Sequence, residues 1–342
     1  MSALVTLSDY NLTLVTLGHQ NPYNDHATGY FAFGIVFDSK WIFHVALVAM
    51  YGFLPFSFVV GTVGNLFALR VLSNRHYTRT STGVYMIALE VFDTTVVSLC
   101  VPVLFTRVVF QHLITDLFCK IYIFLLVATA SFSNLTLAFM SIDRLIVVCF
   151  PFKAKSICTP RKARVVLLAM VLAQLGFSIY RAVPLRVYTN GPENDCDYPL
   201  RGRPRFIISF TQNVIQFWIP FGLILGCNIS IVTQLVLQSK RRKEMTNSCS
   251  DGKESADNSV SVTLMLLSVS ILFLVLHFPF FLYRILKYVT GADRMILNVV
   301  YWISRALMAV NSAINFYVYC LASERFRVEL RAILNSSFCQ TN

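Results

Sequence analysis

Charge is what this chain has least of. Only 13% of its 342 residues are charged, 17 of them acidic, while 56% are hydrophobic. Soluble domains carry about 25% charged residues, so a compact water-soluble fold is excluded. Histidine is also sparse, and the six present show no metal-ligand spacing. No Ser, His and Asp set follows from the topology either, which removes metal and hydrolytic catalysis. Met1 to Lys40 lacks a basic stretch followed by an apolar core. No signal peptide is visible, and the first apolar segment is expected to act as its own uncleaved insertion signal.

What the chain does have is long runs without charge. They extend from Trp41 to Leu69, Ile121 to Ile142, Val165 to Tyr180, Phe206 to Ser239 and Asn258 to Tyr283. Two more spans emerge when internal charges are tolerated: Thr80 to Thr106, which contains Glu90 and Asp93, and Met295 to Ser323, which contains Arg305. Each can cross a bilayer as a helix. The expected fold is an all-α integral membrane protein, a seven-transmembrane bundle over 41–323 with helices at about 41–72, 80–106, 119–146, 163–184, 205–239, 258–287 and 295–321. A tail precedes it at 1–40, a third inner loop falls at 240–257, and an amphipathic eighth helix with a tail occupies 323–342.

Lys and Arg set the orientation. The loops after helices 1, 3 and 5 and the segment after helix 7 carry 17 of the 29 basic residues, so that face is cytoplasmic and the N-terminus lies outside. The net charge of +12 then reads as membrane topology, with no nucleic-acid partner implied. Of four Asn-x-Ser/Thr sequons, at Asn11, Asn134, Asn228 and Asn335, only Asn11 falls in an extracellular segment where glycosylation enzymes act. Cys119 at the outer end of helix 3 and Cys196 in the outer loop between helices 4 and 5 lie where disulfides persist. They are expected to be bonded; the alternative is two unpaired thiols. Cys339, after the amphipathic segment, either carries a palmitoyl group or stays a bare thiol.

Asp143 and Arg144 end the third span. At the centre of a membrane such residues cost about 2.5 to 3.5 kcal/mol each, so the pair belongs at the interface and interacts with something. Further motifs stand in order along the chain: Gly61, Gly64 and Asn65 in helix 1, Leu89 to Asp93 in helix 2, and Cys119 and Ser133 before the charged pair. Pro184 ends helix 4, Phe217 and Pro220 lie in helix 5, Phe273 and Pro279 in helix 6, and Asn311 to Tyr319 in helix 7, followed by Phe326. In this order and spacing the chain resembles the rhodopsin-like, or class A, G-protein-coupled receptors across all seven helices.

The resemblance implies an inner-face switch in which Arg144 releases Asp143 on activation and enters the G-protein pocket as helix 6 swings outward, with Tyr319 and Asn228 at the contacts that receive it. It also implies that Asp93, Ser133, Asn311, Ser312 and Asn315 converge on one polar cavity, which in the family holds sodium in the inactive state. Hard oxygen ligands of this kind suit a small cation, and sodium is expected as a negative allosteric modulator, with no cofactor required; the alternative is a water-filled network. Heterotrimeric G protein, arrestin, an extracellular ligand and the lipid bilayer are the implied partners, and the plasma membrane is the implied location.

Departures from the family pattern lie along the activation route. His277 replaces the helix 6 Trp, Phe316 the helix 7 Pro, Asn228 the helix 5 Tyr and Gln174 the helix 4 Trp. Without a proline, helix 7 is expected to be straighter near Tyr319. Ser259 stands where many receptors place an acid at the inner end of helix 6, so a second latch on Arg144 is missing and raised basal signalling is expected. Glu90 is an additional buried acid one turn before Asp93, with Gln174 as a possible partner.

Ligand chemistry is basic. Leu126 occupies the helix 3 position where amine receptors carry Asp, and Ala309 the position of the retinal-bearing Lys, so neither ligand class fits. Arg107, Arg181, Arg186, Arg284 and Arg305 surround the outer half with His277, Gln212 and Gln216. Guanidinium groups bind carboxylates and phosphates in bidentate fashion, which suits a peptide carboxylate or an acidic small molecule; the alternative is that these arginines pair with outer-loop acids or snorkel. A neuropeptide receptor and a chemosensory receptor for a small molecule both remain open. A seven-helix transporter or channel is the reading from another class, but no inverted repeats or broken helices are apparent.

Overall fold

The computed structural model describes residues 48–108, 115–190, 193–197, 203–245, 253–289 and 294–339. Eight principal helices follow one another: α1 (Leu54–Leu72), α2 (Ser81–Val108), α3 (Asp116–Cys149), α4 (Pro160–Ala182), the composite α5, α6 (Lys253–Val289), α7 (Arg294–Ala322) and α8 (Glu324–Cys339). The composite α5 consists of Arg203–Asn213, a π-helical turn at Val214–Trp218 and Ile219–Met245. A π turn at Val48–Phe53 leads into α1.

Helix ends have local causes. Pro151 stands just beyond the end of α3, and a residue before proline is disfavoured in helical conformation, so the chain turns at Phe150. α4 restarts at Pro160, where a missing N–H costs nothing, with Thr159 accepting from the Lys162 amide at 3.4 Å. Thr115 caps α3 by accepting from the Phe118 amide at 3.2 Å.

Six described helices are long and apolar enough to cross a membrane, and the seventh reaches that standard only jointly with α8, from which it is bent by 101°. The polar residues Arg305, Asn311, Ser312 and Asn315 lower the hydropathy of α7. α3 is the most enclosed span, 56% buried against 22% for α4, which puts α3 at the bundle centre and α4 at its lipid-facing edge. α1 and α7 approach closely at Gly61, where an added Cβ would lie 2.8 Å from that of Ala313.

Two boundaries differ from expectation. The inner loop expected at 240–257 is shorter, because α5 continues to Met245 and α6 begins at Lys253, leaving 246–252 outside the described residues. Lys, Arg and Glu are good helix formers, so charge ends a membrane span without ending the helix. A β-hairpin was not anticipated: β1 (Arg186–Asn190) pairs antiparallel with β2 (Glu193–Asp197) in the outer loop after α4.

Candidate functional site

At the inner face Asp143 is buried, and its Oδ2 accepts a 2.9 Å hydrogen bond from Thr82 Oγ1 on α2. Arg144 Nη2 stands farther from the same oxygen, at 3.8 Å, and its Nε has no partner among the described residues. The acid is thus tied sideways to α2 more closely than to its neighbour. Cys158, in the loop beneath, donates from Sγ to the Asp143 carbonyl at 3.7 Å. Burial, with the nearby Asp143, pushes the Cys158 thiol up to about 12, so it stays protonated. The Ser259 side chain lies outside the described residues.

Above this switch, Asp93 is fully buried. Ser133 Oγ donates to its Oδ1 at 2.6 Å and Asn315 Nδ2 to its Oδ2 at 2.7 Å, with the Ser312 side chain beside it. Asn65 joins from α1, donating to the Ser312 carbonyl at 3.0 Å. Asn311 is buried one turn earlier on α7. The structure therefore brings Asp93, Ser133, Ser312 and Asn315 together. As a cation site the set fits in part: the carboxylate and two hydroxyls supply hard oxygens, but Asn315 turns its amide nitrogen, not its oxygen, toward Asp93.

Phe316 replaces a proline without disrupting α7, which runs unbroken from Arg294 to Ala322. Its ring lies over Gly64 and between Phe67 and Phe326, both at 6.0 Å between ring centroids. Tyr319 is fully buried and packs on Phe326 at 5.5 Å. Asn228 does not complete a pair with Tyr319; its Oδ1 instead accepts from Ser270 Oγ on α6 at 2.9 Å, and its Nδ2 has no partner among the described residues. The short amide is thus used between α5 and α6.

In the outer half, His277 is buried within an aromatic stack, 4.0 Å from the Phe273 ring and 6.0 Å from Phe217, with Nδ1 3.1 Å from the Phe273 carbonyl. Gln212 Nε2 donates to Gln216 Oε1 at 2.8 Å. Gln216 lies four residues before Pro220, which has no N–H to donate, and its carbonyl instead accepts from Asn134 Nδ2 at 3.0 Å, so the Asn134 sequon is consumed inside the bundle. Leu126 is half-buried on α3. Arg305 is half-buried on α7, with its charge felt at the Cys100 thiol of α2.

The hairpin is fixed to α3: Asp116 pairs with Arg186 at 3.2 Å and accepts from the Val187 amide at 2.7 Å. Cys119, one turn further, is buried and is not a free thiol, and Cys196 on β2 stands in register with Val187. The side chains of Arg107, Arg181, Arg284, Cys196 and Cys339, and all of Asn11, lie outside the described residues. Thr82, Ser270 and Asp116 were missed by sequence reasoning. A hydroxyl near a helix end carries no signal of its own until its neighbour across the bundle is known.

A family model for the 7 transmembrane receptor (rhodopsin family) matches residues 64–319, and the chain belongs to that family. It is a multi-pass membrane receptor and not an enzyme. It is 27% identical over 296 residues to the allatostatin-A receptor of Bombyx mori, covering 82% of this chain and 78% of that one. Similarity to the galanin receptor 2a of Danio rerio is 26% over 317 residues, covering 89% and 82%. The growth hormone secretagogue receptor type 1 of Mustela putorius furo is 26% identical over 352 residues, covering 96% and 91%.

Proposed function

We propose that the protein is a plasma-membrane receptor for an extracellular peptide, with its N-terminus outside, and that it activates a heterotrimeric G protein when Arg144 leaves Asp143 and α6 moves outward. Similarity to receptors named for allatostatin-A and galanin carries the ligand class. The Asp143 and Arg144 pair, enclosed at the inner end of α3, supports the switch. An acidic group on the ligand is matched to Arg305, with Arg284, Arg107 and Arg181 around it and His277, Leu126, Gln212 and Gln216 lining the wall below. Arrestin is the second inner-face partner. A disulfide from Cys119 to Cys196, glycosylation at Asn11 and lipidation at Cys339 complete the proposal. Asp93, Ser133 and Ser312, with Asn311 and Asn315, would hold an allosteric sodium ion.

A panel of amidated and acidic peptides applied to cells expressing the chain, read by G-protein dissociation, tests the assignment. A peptide response lost in Arg305→Ala at equal surface expression supports it. Response to no peptide but to a small acidic metabolite would replace the peptide reading. For the cation, sodium should weaken agonist binding to the wild-type receptor and leave binding to Asp93→Asn unaffected.

A further inference from the structure

Glu90 on α2 takes no part in the switch described above, yet it is among the costliest side chains in the bundle. It is fully buried at 0% exposure, and neither carboxylate oxygen has a hydrogen-bond partner among the described residues. Across from it on α7 stands Tyr319, also at 0% exposure, whose hydroxyl is equally without a formed hydrogen bond. The two groups are close enough to interact but off the geometry of a formed bond. Met86, Leu89, Phe326 and Tyr319 belong to one apolar cluster. Asp93, the other acid near both, already accepts from Ser133 and Asn315.

Burying a carboxyl costs several kcal/mol unless it is paired or carried neutral, whereas an apolar residue at this position would cost nothing. The charged or titratable groups felt at Glu90 are Asp93 and Tyr319, and neither is a cation. A neutral carboxyl offers one O–H donor and one carbonyl acceptor, so it can pair with a phenol in either sense. Two buried polar groups that face each other and lack other partners each make the other's burial tolerable.

We propose that Glu90 is a positioning residue for Tyr319: from α2 it holds the Tyr319 hydroxyl, and with it the inner end of α7, in the resting arrangement. It acts as a second latch, set on α7 instead of on Arg144. The inference rests on the activation reading given under the proposed function, because it takes the arrangement with Arg144 beside Asp143 as the resting one.

The test uses the full-length receptor in lipid nanodiscs. Amide hydrogen exchange over 316–322 is measured beside basal G-protein dissociation in cells at matched surface expression. Glu90→Ala and Tyr319→Phe should each speed exchange by about ten-fold, the effect of losing roughly one buried hydrogen bond, and raise basal dissociation. Glu90→Gln keeps shape and hydrogen-bonding capacity and should restore slow exchange. The double variant Glu90→Ala with Tyr319→Phe should exchange no faster than either single one. Unchanged exchange in Tyr319→Phe, additive effects in the double variant, or Glu90→Gln exchanging as fast as Glu90→Ala would overturn the latch. If Glu90→Ala does not reach the membrane, Tyr319→Phe and Glu90→Gln decide alone. Exchange that follows this pattern in a receptor that dissociates no G protein would leave the latch standing and remove the G-protein reading.

Discussion

Thr82 on α2 holds the Asp143 carboxylate on α3 by a 2.9 Å hydrogen bond, nearly an ångström closer than the approach of Arg144 to the same oxygen. The resting state of the inner face therefore depends on an inter-helix contact as well as on the adjacent ion pair. Thr82→Val keeps the shape and removes the donor. Losing a hydrogen bond to a buried charge is worth about 1–3 kcal/mol. Basal G-protein dissociation should change at least about five-fold at equal surface expression, and an unchanged level would show that Thr82 only packs.

Asn228 and Ser270 make a similar link between α5 and α6. Ser270→Ala leaves a buried amide without its donor and should lower the thermal midpoint, at a cost of about 1–3 kcal/mol. Replacing both partners with apolar groups is far less costly. Asn228→Leu with Ser270→Ala should therefore recover much of the loss, read as thermal unfolding of the purified receptor.

Gly61 tests a close approach of α1 to α7. A Cβ there would lie 2.9 Å from the Ala313 backbone, so Gly61→Val should destabilise by about 1–3 kcal/mol through overpacking. Gly222 on α5 has open space where its Cβ would go, and Gly222→Ala should be neutral or stabilising. Equal effects from the two substitutions would contradict the packing.

Cys158 supplies a chemical readout. Its thiol is pushed up to about 12, so the reactive thiolate stays scarce through pH ~8 and rises only as the pH approaches that value. Maleimide labelling at about pH 8, followed by site-resolved mass spectrometry, should be much slower at Cys158 than at a thiol introduced nearby by Phe152→Cys, a position that is 93% exposed.

The spans were legible because charge is rare enough to mark their ends. α7 required tolerance of Arg305, whose polar neighbours still lower its hydropathy. The group around Asp93 was also foreseeable, because the resemblance to the rhodopsin-like receptors implies that Ser133 and Asn315 face Asp93. The contacts of Asp143 and Asn228 were not, because a hydrogen bond between helices depends on their rotation and on which of several hydroxyls comes within about 3 Å. The π turn has one trace in the sequence, Pro220, whose missing N–H leaves the Gln216 carbonyl without its helical donor, and α5 and α6 run past their expected ends because charge ends a membrane span without ending the helix.

The π turn at Val214–Trp218 has a bearing on comparative work. One additional residue in a helical turn rotates everything beyond it by about 100°. Counting outward from Pro220 against a relative without that turn would assign Gln212 and its neighbours to the wrong side of α5. Substitutions transplanted by such a count would land on the lipid side or in the helix contacts, and a loss of ligand response would then be blamed on the wrong residue. An alignment of this segment with a relative that lacks the turn needs a one-residue gap there before any pocket position is exchanged.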